Sequence, residues 1–410
     1  MRAKNLWREF LIFLSVMGPG IITANVDNDA GGITTYSVAG AHFGYSLLWS
    51  FIPIIIALAI IQEMCSRMAV VTGKGLADLI REEFGVRVAF YAMLFLISSN
   101  IFNTISEFAG IAASAELFGV SKYIMVPVCA LFVWWLIVKG TYKSVEKVFL
   151  LACVFYFCYI ISGFLIKPDW QEIGRETLRP EFRFDKSYLL MLMGVIGTTI
   201  APWMQFYQQS SVVEKGIKLK NYKYSRMDVI VGAFVVNIVA IFIVIVCAAT
   251  LFKNGIRIET AKDAALALKP LAGPWAFKLF AFGLLNASVF SACILPLSTA
   301  YSVCEGMGWE VGVNRRFREA PQFYTLYTAT IAIGATVILL PNVKLIPIML
   351  ISQASNGILL PFVLIFMLLL VNNKRLMGNY TNSKLYNFFV ILTIVAMIGL
   401  SLALLFTQFI

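Results

Sequence analysis

The run Asp27-Asn28-Asp29-Ala30-Gly31-Gly32 sets two carboxylates two residues apart inside an apolar stretch that starts at Gly18-Pro19-Gly20 and continues to Gly40. Carboxylates at membrane depth are costly, so they face a cavity and mark function. The neighbouring Gly and Pro release backbone amides and carbonyls that can ligate a solute. A second interruption has the same punctuation without the charge. There Gly194 and Gly197-Thr198-Thr199 lead to Ala201-Pro202, followed by Trp203 and the polar Gln205, Gln208, Gln209, Ser210 and Ser211. These residues can bind, but they are poorly equipped to catalyse. The chain holds no HExxH, GxSxG or P-loop pattern, and its sole histidine, His42, leaves little general acid–base chemistry. No enzyme activity and no resident cofactor are therefore expected. The seven Cys are scattered with no CxxC pair, which supports neither a disulfide framework nor a zinc site.

The elements that position these groups are apolar helices. Of 410 residues, 60% are hydrophobic and 13% charged, with mean hydropathy +0.83. A soluble domain carries roughly a quarter charged residues, so most of this surface must meet lipid. A helix needs about 20 apolar residues to cross the hydrocarbon core. Eleven spans are predicted, near 11–40 (interrupted), 45–70, 88–118, 122–138, 147–166, 187–213 (interrupted), 228–252, 275–303, 323–341, 345–371 and 386–408. The first stretch lacks a small-residue cleavage pattern and is read as a retained span. With the N-terminus cytoplasmic, 21 of the 33 Lys and Arg fall at inner connections. The outer 5–6 connection balances its five basic residues with five acidic ones. The positive-inside bias thus sets that orientation in a plasma membrane, and it accounts for the net charge of +11 without nucleic acid.

Interrupted spans at matching places in two halves point to an inverted-repeat transporter with its site at the midplane. Spans one and six are five apart, a layout that resembles the LeuT-type fold. One transport domain over 1–410 is expected. It would hold repeat one at about 11–166, repeat two at about 187–371 and an extra helix at about 386–408.

At these residues the chain resembles the Nramp family of divalent-metal transporters. Gly18-Pro19-Gly20, then eighteen residues, then Ala39-Gly40-Ala41-His42-Phe43-Gly44-Tyr45 and Leu47-Leu48-Trp49 follow its first span. Glu107-x-x-Gly110, Lys143-x-x-Glu146, Gly197-x-Thr199-x-x-Pro202, Arg226-x-Asp228, Ser352-Gln353 and Leu360-Pro361-Phe362 follow in order. The departures bear on function. The family's DPGN motif falls on Asp29-Ala30-Gly31-Gly32, and its span-six Met-Pro-His on Ala201-Pro202-Trp203. A second family His falls on Gln208, and a span-three Asp implicated in proton coupling falls on Thr104.

What the resemblance implies is a substrate site of Asp29, Asp27, the Ala201 carbonyl and Gln353, with Trp203 shaping its wall. Without thioether or imidazole, that all-oxygen set has no evident source of transition-metal selectivity. It suits Mg²⁺ or Mn²⁺ bound partly hydrated, and the Ala and Trp replacements are similar to the Nramp-related magnesium transporters. That branch keeps the Asn that is Gly32 here. Thr104 and Gln208 do not exchange protons near neutral pH, so weak or absent coupling is expected, with Glu107 as a possible proton path. The alternative is an organic solute: a carboxylate, amino acid or metal chelate. Gly31 and Gly32 would then offer amides at a helix start, and Gln205, Gln208 and Asn356 further hydrogen bonds.

Overall fold

A computed structural model describes residues 17–140, 157–180, 182–269 and 273–406, and every regular element among them is helical. The first half runs α1 (Pro19–Asn25), α2 (Ala30–Phe43), α3 (Phe51–Thr72), α4 (Leu76–Phe84), α5 (Val86–Phe118), α6 (Lys122–Lys139), α7 (Phe157–Leu165) and α8 (Trp170–Leu178). The second half runs α9 (Lys186–Thr199), α10 (Pro202–Glu214), α11 (Tyr222–Thr250), α12 (Ala261–Leu266), α13 (Ala276–Met307), α14 (Pro321–Leu339), α15 (Leu345–Val371), α16 (Lys374–Met377) and α17 (Lys384–Phe406).

Nine helical segments among the described residues are long and apolar enough to cross a membrane. The other two expected spans are the first, split into halves of 7 and 14 residues, and the fifth, of which α7 is the described part. Lys143 and Glu146 lie outside the described residues. The apolar exterior confirms the solvent: Phe95, Leu131, Phe164, Phe362 and Val395 are each at least 60% exposed, an arrangement water would not tolerate at this density. The connections between spans 5 and 6 and between spans 7 and 8 each fold a short helix. Asp169 caps α8 by accepting from Gln171 N and Glu172 N, and Thr260 with Asp263 forms a capping box on α12.

Local chemistry explains both breaks. In span six, Pro202 brings no N–H and forces the residue before it out of the helical region. Ala201 is accordingly extended, and Pro202 opens α10. In span one, α1 ends at Asn25, a 3₁₀ turn carries Val26–Asn28, and extended Asp29 becomes the N-cap of α2. The front of α1 is held from a distance. The Asp228 carboxylate on α11 accepts from Gly20 N at 2.6 Å and from Gly18 N and Ile21 N at 3.3 Å. Here α1 and α11 approach backbone to backbone. A Cβ on Gly20 would strike the main chain of Val229, and one on Gly232 the carbonyl of Gly20.

Around the breaks, α5 and α13 lie along each other, α11 packs on α1, α2 and α3, and α15 packs on α9 and α5. These helices wall the two interruptions from both lipid and water.

Candidate functional site

Asp29 is the anchor. Its Oδ1 accepts from Gly32 N at 2.5 Å, so the carboxylate closes the first turn of α2. The next amide, Ala30 N, donates to Glu107 Oε2 on α5 at 3.2 Å, which brings the Glu107 carboxyl beside that of Asp29. From α15, Gln353 Nε2 reaches Asp29 Oδ1 and Oδ2 at 3.4 and 3.5 Å. The two glycines are steric necessities. A Cβ on Gly31 would run into the Gln353 amide, and one on Gly32 into the Asp27 carbonyl.

Asp27 stands differently. Its carbonyl receives a long 3.5 Å contact from Thr198 Oγ1, while both carboxylate oxygens are buried and have no hydrogen-bond partner. Asn28 Oδ1 and Glu107 Oε1 are buried and unpartnered as well. The break therefore gathers oxygen acceptors and few donors. Asp27, Asp29, Ala201 and Gln353 are each at most 3% exposed, so the site is closed to both faces. Among the described residues, no three His, Cys, Asp or Glu side chains form a metal cage.

Several expected contacts are redirected. The Gly32 amide serves Asp29 rather than an incoming solute. The Ala201 carbonyl accepts from Met204 N and Gln205 Nε2, both at 3.2 Å. Gln205 turns toward α3, where its Oε1 accepts from Gln62 Nε2 at 3.3 Å and Cys65 Sγ at 3.6 Å. Gln208 Oε1 accepts from Thr23 Oγ1 on α1 at 2.9 Å. The oxygens of both glutamines thus accept from adjoining helices, while Gln208 Nε2 is buried without a partner. Trp203 is buried in the first turn of α10, its ring 6.4 Å from that of Tyr207, and its carbonyl accepts from Ser298 Oγ of α13 at 3.2 Å.

Asn356 joins the site through Gln353, and it brings residues the sequence reading did not single out. Asn356 Nδ2 donates to Gln353 Oε1 at 2.9 Å and to Asn103 Oδ1 at 3.1 Å. Asn356 Oδ1 accepts from Asn103 Nδ2 at 2.9 Å and from Ser99 Oγ at 2.8 Å. Ser99, Asn103 and Glu107 recur every four residues on α5 and form one buried polar stripe. That periodicity is visible in the sequence and could have identified Asn103. Asp228, part of the Arg226-x-Asp228 motif, caps α1.

The family model described as natural resistance-associated macrophage protein-like matches residues 20–407. The chain belongs to the Nramp family. The divalent metal cation transporter MntH of Bacillus subtilis (strain 168) is 26% identical over 392 residues, covering 92% of this chain and 88% of that protein. The crystal structure of the Eremococcus coleocola manganese transporter, bound to an aromatic bis-isothiourea compound, superposes with a TM-score of 0.81 at 20% identity. The match covers 95% of this chain and 85% of that one. The fold extends further, to MhsT in complex with L-phenylalanine, at TM-score 0.61 and 14% identity over 94% and 98% of the two chains. This Nramp protein is thus a multi-pass membrane transporter of LeuT-type architecture, not an enzyme. Within the family frame, its departures are neutral side chains already in use. Thr104 Oγ1 donates to the Asn100 carbonyl at 2.7 Å, and Gln208 Oε1 accepts from Thr23 while its Nε2 is buried without a partner.

Proposed function

We propose that this protein carries a divalent cation, Mn²⁺ or Mg²⁺ with part of its hydration shell, across the plasma membrane by alternating access. The observation that carries the reading is Asp27: a fully buried carboxylate, two residues from Asp29, with neither oxygen satisfied by protein. A bare carboxylate in an apolar interior costs several kcal/mol, about what makes buried ions occur in pairs. A cation between the two acids removes that cost. Asp29 is the principal ligand in this reading, Asp27 the second charge, and Gln353 the oxygen contribution from the opposite wall, joined by the Ala201 carbonyl once it sheds a hydrogen bond from Met204 N or Gln205 Nε2. Curated relatives named as divalent metal cation transporters agree with it.

Oxygen-only ligation favours hard ions, and the Ala201 position offers no sulfur. The thioether of Met349, one turn before Gln353, already accepts from Thr34 Oγ1 at 3.3 Å. Proton coupling is weak or absent, because Thr104 and Gln208 do not titrate and Glu107 stands without their company. The proposed frame is one domain with repeats at about 11–166 and 187–371 and a cytoplasmic N-terminus, so that the breaks rock against α5 and α13. A cavity of about 560 Å³ on the outer side, with Glu116, Glu259 and Lys344 among its lining residues, reaches Leu350, one turn of α15 before Gln353. An organic anion is disfavoured, since Asp29 already occupies the Gly32 amide such a ligand would need.

The test is purified protein in liposomes with a metal-sensitive dye and a pH dye inside. Mn²⁺ or Mg²⁺ flux without acidification is expected. Absence of flux for both ions sinks the cation assignment, and acidification in step with flux sinks the uncoupled mechanism.

A further inference from the structure

Gln353 stands in the wrong sense for a ligand. Its Nε2, not its Oε1, faces both oxygens of Asp29, at 3.4 and 3.5 Å. An amide nitrogen there is a hydrogen-bond donor to a carboxylate, and it would repel a cation. Yet the head group sits where a ligand should. Two oxygens bound to one octahedral cation at ~2.1 Å lie about 3.0 Å apart when adjacent and about 4.2 Å when opposed, and the observed separation falls between these. Turning the amide over would convert donor to ligand with little displacement.

What prevents a simple turn is the chain behind it. Gln353 Oε1 is taken by Asn356 Nδ2, Asn356 exchanges two hydrogen bonds with Asn103, and Ser99 Oγ donates to Asn356 Oδ1. Gln353, Asn356, Asn103 and Ser99 are all buried, so a reversed Gln353 alone would set two N–H groups face to face. Reversal of the whole chain leaves nothing unsatisfied. Gln353 Nε2 then donates to Asn356 Oδ1, and the Asn103–Asn356 pair re-forms with its donors and acceptors exchanged. The Ser99 hydroxyl rotates to accept from Asn356 and donates to the carbonyl one turn earlier in α5, as Ser does in helices.

We propose that Asn356 and Asn103, with Ser99, are positioning residues that form an amide relay with two settings. In one, Gln353 donates to Asp29 and closes the site; in the other, its oxygen faces the cation. The inference rests on the proposed cation site and adds to it the group that switches the ligand. The relay also links the load at α2 to the α5–α15 contact, so binding a cation alters hydrogen bonding between two walls of the site.

The test is a double-mutant cycle on the full-length purified protein, reading apparent Mn²⁺ and Mg²⁺ affinity from metal-dependent shifts in thermal unfolding. Asn356→Leu should weaken affinity about tenfold, the lower end for groups that orient a metal ligand. In a Gln353→Ala background, where nothing remains to orient, the same substitution should have no further effect. Equal loss in both backgrounds means Asn356 only packs, and overturns the relay. Asn356→Asp keeps the shape and, as a carboxylate, only accepts, which holds the Gln353 oxygen outward. It should retain or tighten binding in the native background and lose that gain with Gln353→Ala; a gain that persists there is a charge effect and overturns the relay. Should Asn356→Leu fail to fold, judged by metal-free unfolding, the Asn356→Asp cycle decides. Wild-type protein unmoved by either ion overturns the cation reading and this inference with it, whereas intact wild-type binding without coupling overturns the inference alone.

Discussion

The two helix breaks solve the same geometric problem with opposite chemistry. The break in span six is made by Pro202, is electrically neutral, and has its exposed carbonyl covered by Met204 N and Gln205 Nε2. The break in span one carries two carboxylates, caps itself through Asp29, and leaves Asp27 without partners. One break therefore supplies backbone and shape, the other charge. An unsatisfied buried carboxylate destabilises a fold, and under the proposed function a visiting cation offsets that cost.

Exchanging the properties of the two breaks tests that contrast. The largest effect is expected from Asp29→Asn. Asn caps a helix as well as Asp, so α2 should survive, while loss of the ligand charge should cost about 3 kcal/mol, a hundredfold or more in apparent metal affinity. Metal-dependent thermal shift with an unchanged helical circular dichroism spectrum would check both halves. Asp27→Asn should lower metal uptake about tenfold in liposomes and, in the absence of metal, raise the unfolding temperature, because the unpartnered charge is gone. A fall in metal-free stability would instead mark Asp27 as structural.

Giving the neutral break a soft ligand should have a smaller consequence. Ala201→Met should shift competition between Mn²⁺ or Cd²⁺ and Mg²⁺ about fivefold toward the softer ions, roughly 1 kcal/mol, read as inhibition of dye-reported Mg²⁺ flux. The smallest effect is expected from Gln208→His. The introduced imidazole gains a proton as pH falls through about 6.5, and its charge beside α1 opposes the cation. Uptake should drop about twofold on the acid side of that value, with the parent protein flat over the same range.

Much of this was legible in the residue order. Nine spans followed from apolar runs, and both breaks from Gly and Pro placed beside polar residues, because these signals are local. Helices α8 and α12 were missed as elements since their apolar faces are short, and only their caps mark them. At the site, Asp29 and Asp27 stood out because charge in an apolar segment is rare. Gln205 and Gln208 drew attention as polar residues in an apolar segment, and a buried amide is equally at home against a substrate or a neighbouring helix, which residue type does not distinguish. Asn103 went unremarked although Ser99, Asn103 and Glu107 share one helical face.

The amino-acid order, then, was sufficient for the family, the membrane spans, the two interruptions and the acids within one of them. Hydropathy and backbone chemistry act over a turn or two, and their reach is readable along the chain. Which oxygen meets which donor was decided in the folded protein. Asp228 reaches α1 across 208 residues to Gly20, Glu107 meets the Ala30 amide, and Asn103 addresses Asp29 only through Asn356 and Gln353. Hydrogen bonds extend about 3 Å, so their partners are set by how helices distant in sequence come to lie side by side. The broken first helix contributes its charge through its own residues, but the company that charge keeps belongs to the tertiary structure.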